Sequence, residues 1–274
     1  MTQTLLIILA PIIGGLLYGF ERKLRARMQN RIGPPLLQPF YDTLKLMDKQ
    51  AFLINPYHSI LGIMHFFTIW VVVAFVILEE NLLYIVFLHL LSVIFLILAG
   101  FSVRSIFSHI GANRELLSII AYEPILILVA VGFFMSVGSF EIEVIRENSS
   151  QLLSMFLLFL SFLLIIPVKL KKSPFDAVEA HQEIVGGVEI EFSGIFYEFL
   201  YMAKWLEYIF IYLLLSLFAG DNIALAISLF ISVFLVLNLV DNATARIKMA
   251  HLIKIVLTLG LSLGLLNLIG LSYV

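Results

Sequence analysis

Eight stretches of this chain are each long and apolar enough to cross a bilayer, and nearly all its charge lies between them. They run approximately over Thr2–Phe20, Ser59–Leu78, Leu82–Phe101, Leu116–Phe140, Gln151–Val168, Gly194–Phe218, Asn222–Val240 and His251–Ser272. A hydrocarbon core of ~30 Å takes about 20 residues of helix, with ~17 as a lower limit. In lipid the backbone must satisfy its own hydrogen bonds, so these spans are expected to be helices. The expectation is an all-α integral membrane protein with one membrane domain over residues 1–274. With 61% hydrophobic residues, 13% charged residues and a mean hydropathy of +1.06, the chain has more apolar surface than a soluble core could hide. The first span runs into Glu21-Arg22-Lys23 without a small-residue cleavage pattern, so it is expected to stay as a span.

The cations are not spread evenly. Arg22, Lys23, Arg25, Arg27, Arg31, Lys45 and Lys49 follow span 1, and Arg104 and Arg114 follow span 3. Lys169, Lys171 and Lys172 follow span 5, and Arg246, Lys248 and Lys254 follow span 7. Only Arg146 falls on the opposite side, and Lys204 lies within a span. By the positive-inside rule the four basic connections face the cytoplasm and both termini face outward, in the cell membrane. After Pro34-Pro35, Leu36, Leu37, Phe40, Leu44, Met47 and Ala51 recur at helical spacing, with Asp42, Lys45, Asp48 and Lys49 between them. That pattern predicts a short amphipathic helix at the cytoplasmic interface or under a partner.

Charge inside a span costs several kcal/mol unless it is solvated or paired, so such residues are functional candidates. Glu123 is placed ~10 Å inside span 4 by helical rise, beside Pro124; a helix that began only at Pro124 would leave it at a polar end. Residues 173–194 carry Asp176, Glu179 and Glu183 at i, i+3, i+7, then Glu189 and Glu191. On a helix the first three would share a face, and the cluster is expected to meet the arginines of the first loop; plain solvation is the alternative. Glu198, Lys204 and Glu207 lie in span 6, where Lys204 and Glu207 are spaced to pair, for structure or for ion movement. His65 and His89 differ by ~9 Å in depth, which disfavours joint ligation of one haem. Gly14, Gly15 and Gly19 are expected to permit close packing of span 1. The absence of cysteine excludes disulfides and cysteine-held clusters in this chain, and no nucleotide loop or metal-ligand spacing occurs.

The segments `ERKLRARMQNRIGP`, `LLQPFYDTLKL`, `GANRELLSIIAYEP`, `SPFDAVEAHQEIVGGVEIEFSG` and `NATARIKMAHLIK`, in this order, resemble one family. It is the membrane subunit of respiratory complex I (subunit 1) and of membrane-bound [NiFe]-hydrogenases. The chain departs from complex I members where Gly33-Pro34-Pro35 runs directly into Leu36, and where Ala203-Lys204-Trp205 stands for Ala-Glu-Tyr. The first departure argues against quinone use, and the second against a proton path copied residue for residue from complex I. The short first loop looks like the ferredoxin-linked hydrogenase branch and its sulfur-reducing relative.

The resemblance implies a coupling path through Glu21, Asp42, Glu123, Asp176, Glu179, Glu183, Glu191 and Arg246, to which the span 6 ions Glu198, Lys204 and Glu207 add. It implies a docking floor for the peripheral arm at Arg22, Lys23, Arg25, Arg27, Arg31, Pro34 and Pro35. The implied partners are a hydrogenase-like large subunit and an iron–sulfur small subunit of a peripheral arm, and antiporter-like membrane subunits. The [NiFe] or related centre and the iron–sulfur clusters would sit in those partners, with no cofactor and no catalytic centre in this chain. The expected role is the connecting subunit of a ferredoxin-dependent, ion-pumping hydrogenase-type complex. A sulfur-reducing complex, a complex-I-like quinone oxidoreductase and a stand-alone secondary transporter are the alternatives.

Overall fold

Helices form where the apolar stretches are in the computed structural model, which describes residues 2–273. In chain order they are α1 (Thr2–Met28), α2 (Gln38–Asp48), α3 (Pro56–Ile77), α4 (Leu82–Phe101), α5 (Ile106–Val137), α6 (Ile142–Glu147) and α7 (Phe156–Lys169). Then come α8 (His181–Ile184), α9 (Ile195–Leu217), α10 (Ile223–Ala243), α11 (Met249–Ile255) and α12 (Leu261–Ser272). Seven helical segments are long and apolar enough to cross a membrane, α11 and α12 counting as one, and α7 is a shorter apolar helix. The side chains of Asn55, Asn81, Ser105 and Asn222 accept the first free N–H groups of α3, α4, α5 and α10, as polar caps do. The amphipathic helix expected after Pro34-Pro35 is α2, with Pro39 in its first turn.

The helix boundaries depart from the sequence reading in several places, among them α1, which continues past Phe20 to Met28. α5 begins ten residues before Leu116, so Arg114 lies on a helix rather than in a loop, and Pro124 is inside it. The span drawn from Gln151 becomes a turn over 152–155 and a 14-residue α7. Asn267 of α12 caps the start of that helix, its Oδ1 accepting from the N–H of Leu157 and Leu158 at 2.8 and 3.0 Å. A side chain from a neighbour thus meets donors that lipid could not. Between α11 and α12 the backbone widens into a π turn at Val256–Gly260, and the Ser161 hydroxyl donates to the Gly260 carbonyl at 2.7 Å.

α9 is the hub, packed against α1, α2, α3 and α10, while α5 packs against α4, α7 and α12. Apolar burial drives little association between helices already in lipid, so close backbone approach matters instead. At Gly14 of α1 an added Cβ would lie 2.6 Å from the Trp205 carbonyl oxygen, and at Gly15 2.7 Å from the Phe40 ring. The outward faces of α1 and α10 are lined by exposed Leu5, Ile8, Ile12, Ile227, Ile231 and Leu239.

The connections gather at two ends. At one end Arg246 meets Asp176, Arg114 meets Glu183, Gln29 meets Asn242 and Phe52 meets Ser193. This is the end that holds the four basic connections. At the other, Arg146 donates to Glu79 at 2.6 Å and Asn81 bridges to Glu141.

Candidate functional site

At the basic end the C-terminal half of α1, the 170–194 segment, the middle of α5, the first half of α9 and the end of α10 line a cavity of about 450 Å³. Six cations line it (Arg25, Lys169, Lys171, Lys172, Lys204 and Arg246), opposed by six carboxylates. The carboxylates are Glu115, Asp176, Glu179, Glu189, Glu207 and Asp241. Buried charge of this density is tolerated only where each group has a partner, and the partners fall into three clusters.

The first cluster is at the rim. Glu21, 2% exposed, pairs with Lys172 and lies 3.4 Å from Arg25, which also pairs with Asp241 of α10. Burial pushes the Lys172 ammonium down against the pull of Glu21. Arg22 reaches the other way, donating to Asp42 of α2 at 2.8 Å, and Gln38 donates to the same carboxylate at 2.7 Å. Burial alone would raise the Asp42 carboxyl, but those two donors hold it below the usual carboxylate range.

The second cluster is organised by residues 173–194. They do not form one helix: a 3₁₀ turn (Asp176–Val178), α8 and a second 3₁₀ turn (Gly187–Glu191) follow one another. Asp176, Glu179 and Glu183 therefore diverge instead of sharing a face. Arg246 grips Asp176 through two hydrogen bonds of 2.8 and 2.7 Å, which raise the guanidinium further. Glu183 takes Arg114 at 2.9 Å. Glu179 lies between Lys171 at 2.9 Å and Lys204 at 3.1 Å, and Lys171 also pairs with Glu115 of α5. Lys204 bonds both oxygens of Glu189, at 2.8 and 2.9 Å.

Burial would raise the Glu179 carboxyl; Lys171 and Lys204 outweigh it and hold Glu179 far down. Burial and the neighbouring Glu179 charge push Glu189 up to about 7. Burial lowers the Lys171 ammonium by less than Glu115 and Glu179 raise it. The loop is held against α5 where Gly111 meets the Gly187–Val188 backbone, a contact that leaves no room for a Cβ.

The third cluster is inside the helix bundle. Lys169, at the end of α7, pairs with Glu207 of α9 at 3.1 Å and donates to the Tyr122 hydroxyl at 3.3 Å. The other Glu207 oxygen is 3.4 Å from Nε2 of His89 on α4, whose Nδ1 is 3.8 Å from Glu123 of α5. His65 is separate, bonded to Ser92 at 2.9 Å.

The structure thus joins Asp176, Glu179, Lys204, Glu207 and Arg246 around one cavity, with Glu21 and Glu183 paired to its lining residues Lys172 and Arg246, Glu123 beyond it and Arg22–Asp42 beside it. Two expected pairings are replaced. Lys204 meets Glu179 and Glu189 rather than Glu207, because the loop folds back over α9 and supplies nearer acids. The acidic segment meets Lys171, Lys204, Arg246 and Arg114, and not the first-loop arginines, which turn to Asp42, Glu21 and Asp241. Glu123 is 17 residues into a continuous helix and 4% exposed, so it is not a helix-end residue. Glu191 and Glu198 make no ion pair among the described residues, although Glu198 is buried in the first turn of α9.

Of the docking residues, Arg27, Arg31 and Pro35 are exposed, Lys23 and Pro34 half-buried, and Arg22 and Arg25 drawn inward. Sequence reasoning missed Glu115, Lys169, Lys171, Lys172, Asp241 and His89 as site residues. Only His89, a histidine in the middle of an apolar span, carried a signal that could have found its place.

Comparison with known proteins matches the NADH dehydrogenase family over residues 2–272. Over 243 residues the chain is 31% identical to a subunit of the NADH-quinone oxidoreductase of Thermomicrobium roseum, covering 73% of this chain and 71% of that one. The fold is similar to that of a chain in the membrane-bound sulfane sulfur reductase (MBS), an archaeal respiratory membrane complex. The TM-score is 0.88 at 22% identity, over 98% of both chains.

Proposed function

Because this chain belongs to the NADH dehydrogenase family, that of complex I subunit 1 and the membrane subunits of [NiFe]-hydrogenases, we propose that it is the connecting membrane subunit of a respiratory complex. In this reading it docks a peripheral redox arm of the ferredoxin-dependent hydrogenase type at its basic end. It passes the energy of electron transfer to proton or sodium translocation in antiporter-like neighbours. The basic end is cytoplasmic and both termini lie outside. The observation that carries the proposal is the set of buried ion pairs gathered around one cavity, from Glu21 and Lys172 at the rim to Lys169 and Glu207 inside the bundle. Such a network responds to a charge placed at its rim, because each group's proton affinity is set by its neighbours.

A sulfur-reducing complex is the second reading. Its support is the fold shared with a chain of the sulfane sulfur reductase, at a TM-score of 0.88. Purifying the complex through a tag on this chain, in mild detergent, tests both. Co-purified hydrogenase-like and iron–sulfur subunits, with ferredoxin-driven hydrogen release, support the first reading; ferredoxin-driven sulfane reduction supports the second. A chain that emerges alone and moves ions by itself refutes both.

A further inference from the structure

His89 is fully buried, and neither ring nitrogen has a hydrogen-bond partner within the described residues. It is centred between two buried acids on different helices, Nε2 facing Glu207 at 3.4 Å and Nδ1 facing Glu123 at 3.8 Å. Both Glu123 oxygens and one Glu207 oxygen are likewise without a hydrogen bond. Buried polar atoms almost always find partners, and here the atoms that lack them face one another in a row. The other groups around the ring are Phe210, stacked at 4.6 Å, and Tyr122, whose hydroxyl is held by Lys169. Lys169 itself is on Glu207, and His65 is turned away to Ser92.

We propose that His89 is the proton relay between Glu207 and Glu123. An acid-to-acid transfer needs a group that accepts on one side while donating on the other, and a singly protonated imidazole does this. Glu207, when protonated, gives its proton to Nε2; its carboxylate stays with Lys169, and the ring becomes imidazolium. The ring then releases its Nδ1 proton to the Glu123 carboxylate and is left as the other neutral tautomer. One proton has moved and no charge is created or lost. The next transfer follows once the ring has regained its Nδ1–H tautomer.

Transfer takes place across about 2.6–3.2 Å, so both contacts are open in this structure. A small rotation of the ring or of either carboxylate closes one of them. The stacked Phe210 face leaves in-plane rotation as the easy movement. Each half of the relay can therefore close while the other is open, which favours movement in steps over a standing leak.

The proposal rests on the coupling role above, and its test separates the two. The whole complex, in sealed inverted vesicles, carries either His89→Gln or Glu123→Gln, with electron transfer and lumenal acidification measured together. Glutamine keeps an amide near Nε2 but cannot take up a proton. If His89→Gln fails to assemble, His89→Asn, with its amide near Nδ1, is measured in the same way. The expected result is near-normal electron transfer with protons moved per electron reduced about 100-fold, the usual scale of a lost proton-transfer group. An assembled His89 variant that acidifies like the wild type, while Glu123→Gln does not, overturns the relay alone. Normal acidification in both variants overturns the relay and the role of Glu123; a wild type that moves sodium and no protons overturns the relay and leaves the coupling role standing, whereas one that moves neither ion overturns both.

Discussion

Lys204 is one ammonium shared by two buried carboxylates, and the two acids are not equivalent. Glu179 has Lys171 as a second cation and keeps its charge; Glu189 has only Lys204, and burial beside Glu179 moves it up to about 7. A folded-state carboxyl raised above its ordinary value of 4.5 holds a proton that the unfolded chain has released. Its contribution to stability is complete below about 4.5 and is lost as pH rises through about 7. Thermal unfolding of the detergent-solubilised protein should show a decline between about pH 5 and 8 that Glu189→Gln flattens. An unchanged slope would mean that Glu189 is ionised throughout.

Some of this chemistry was legible from cost alone, since Glu123, Lys204 and Glu207 stand in spans where charge is rare. Lys169, Lys171 and Lys172 were not. They serve equally well as orientation markers; the last turn of α7 aims Lys169 inward, and only the fold of the 170–194 segment does so for Lys171 and Lys172.

At the scale of elements, spans are readable because lipid imposes both their length and their helical form. The ends are less so. Asn267, about a hundred residues later, supplies the cap at the start of α7, and no local pattern encodes a partner that distant. α5 runs through Pro124 because the flanking turns are held by α4, α7 and the acidic loop, which outweigh one lost backbone bond. The glycines of α1 were legible as packing residues but not as to their partner, which is α9 and α2. Since the Cβ of Gly14→Ala would meet the Trp205 carbonyl, a backbone atom that cannot swing aside, this smallest enlargement should cost ~1–3 kcal/mol. A lowered unfolding temperature in detergent checks it; an unchanged one would show that α1 can slide on α9.

For the whole molecule, charge is sorted along the membrane normal, and the basic end divides its work. Arg22 and Arg25 are committed to internal acids, whereas Arg27 and Arg31 remain exposed beyond the last turn that touches them. If the peripheral arm rests on this floor, Arg27→Glu with Arg31→Glu should release it from the purified complex at lower salt, because exposed charge contacts are screened. The membrane subunits should stay together. Retention of the arm at wild-type salt would place the contact elsewhere.

One further consequence belongs to α5. Its 32 residues extend about 48 Å, well past a ~30 Å hydrocarbon core. Its first turns stand in the loop layer, with Gly111 bearing on the Gly187–Val188 backbone and Arg114 clasping Glu183. Glu123 is about 25 Å from the start of the same rod. A helix is stiff along its axis, so a thrust on the acidic loop would reach the bundle as travel as well as field. Pro124 removes a backbone bond beside Glu123, which makes that point the rod's most compliant joint. A push at the surface would be felt as a bend at the acid.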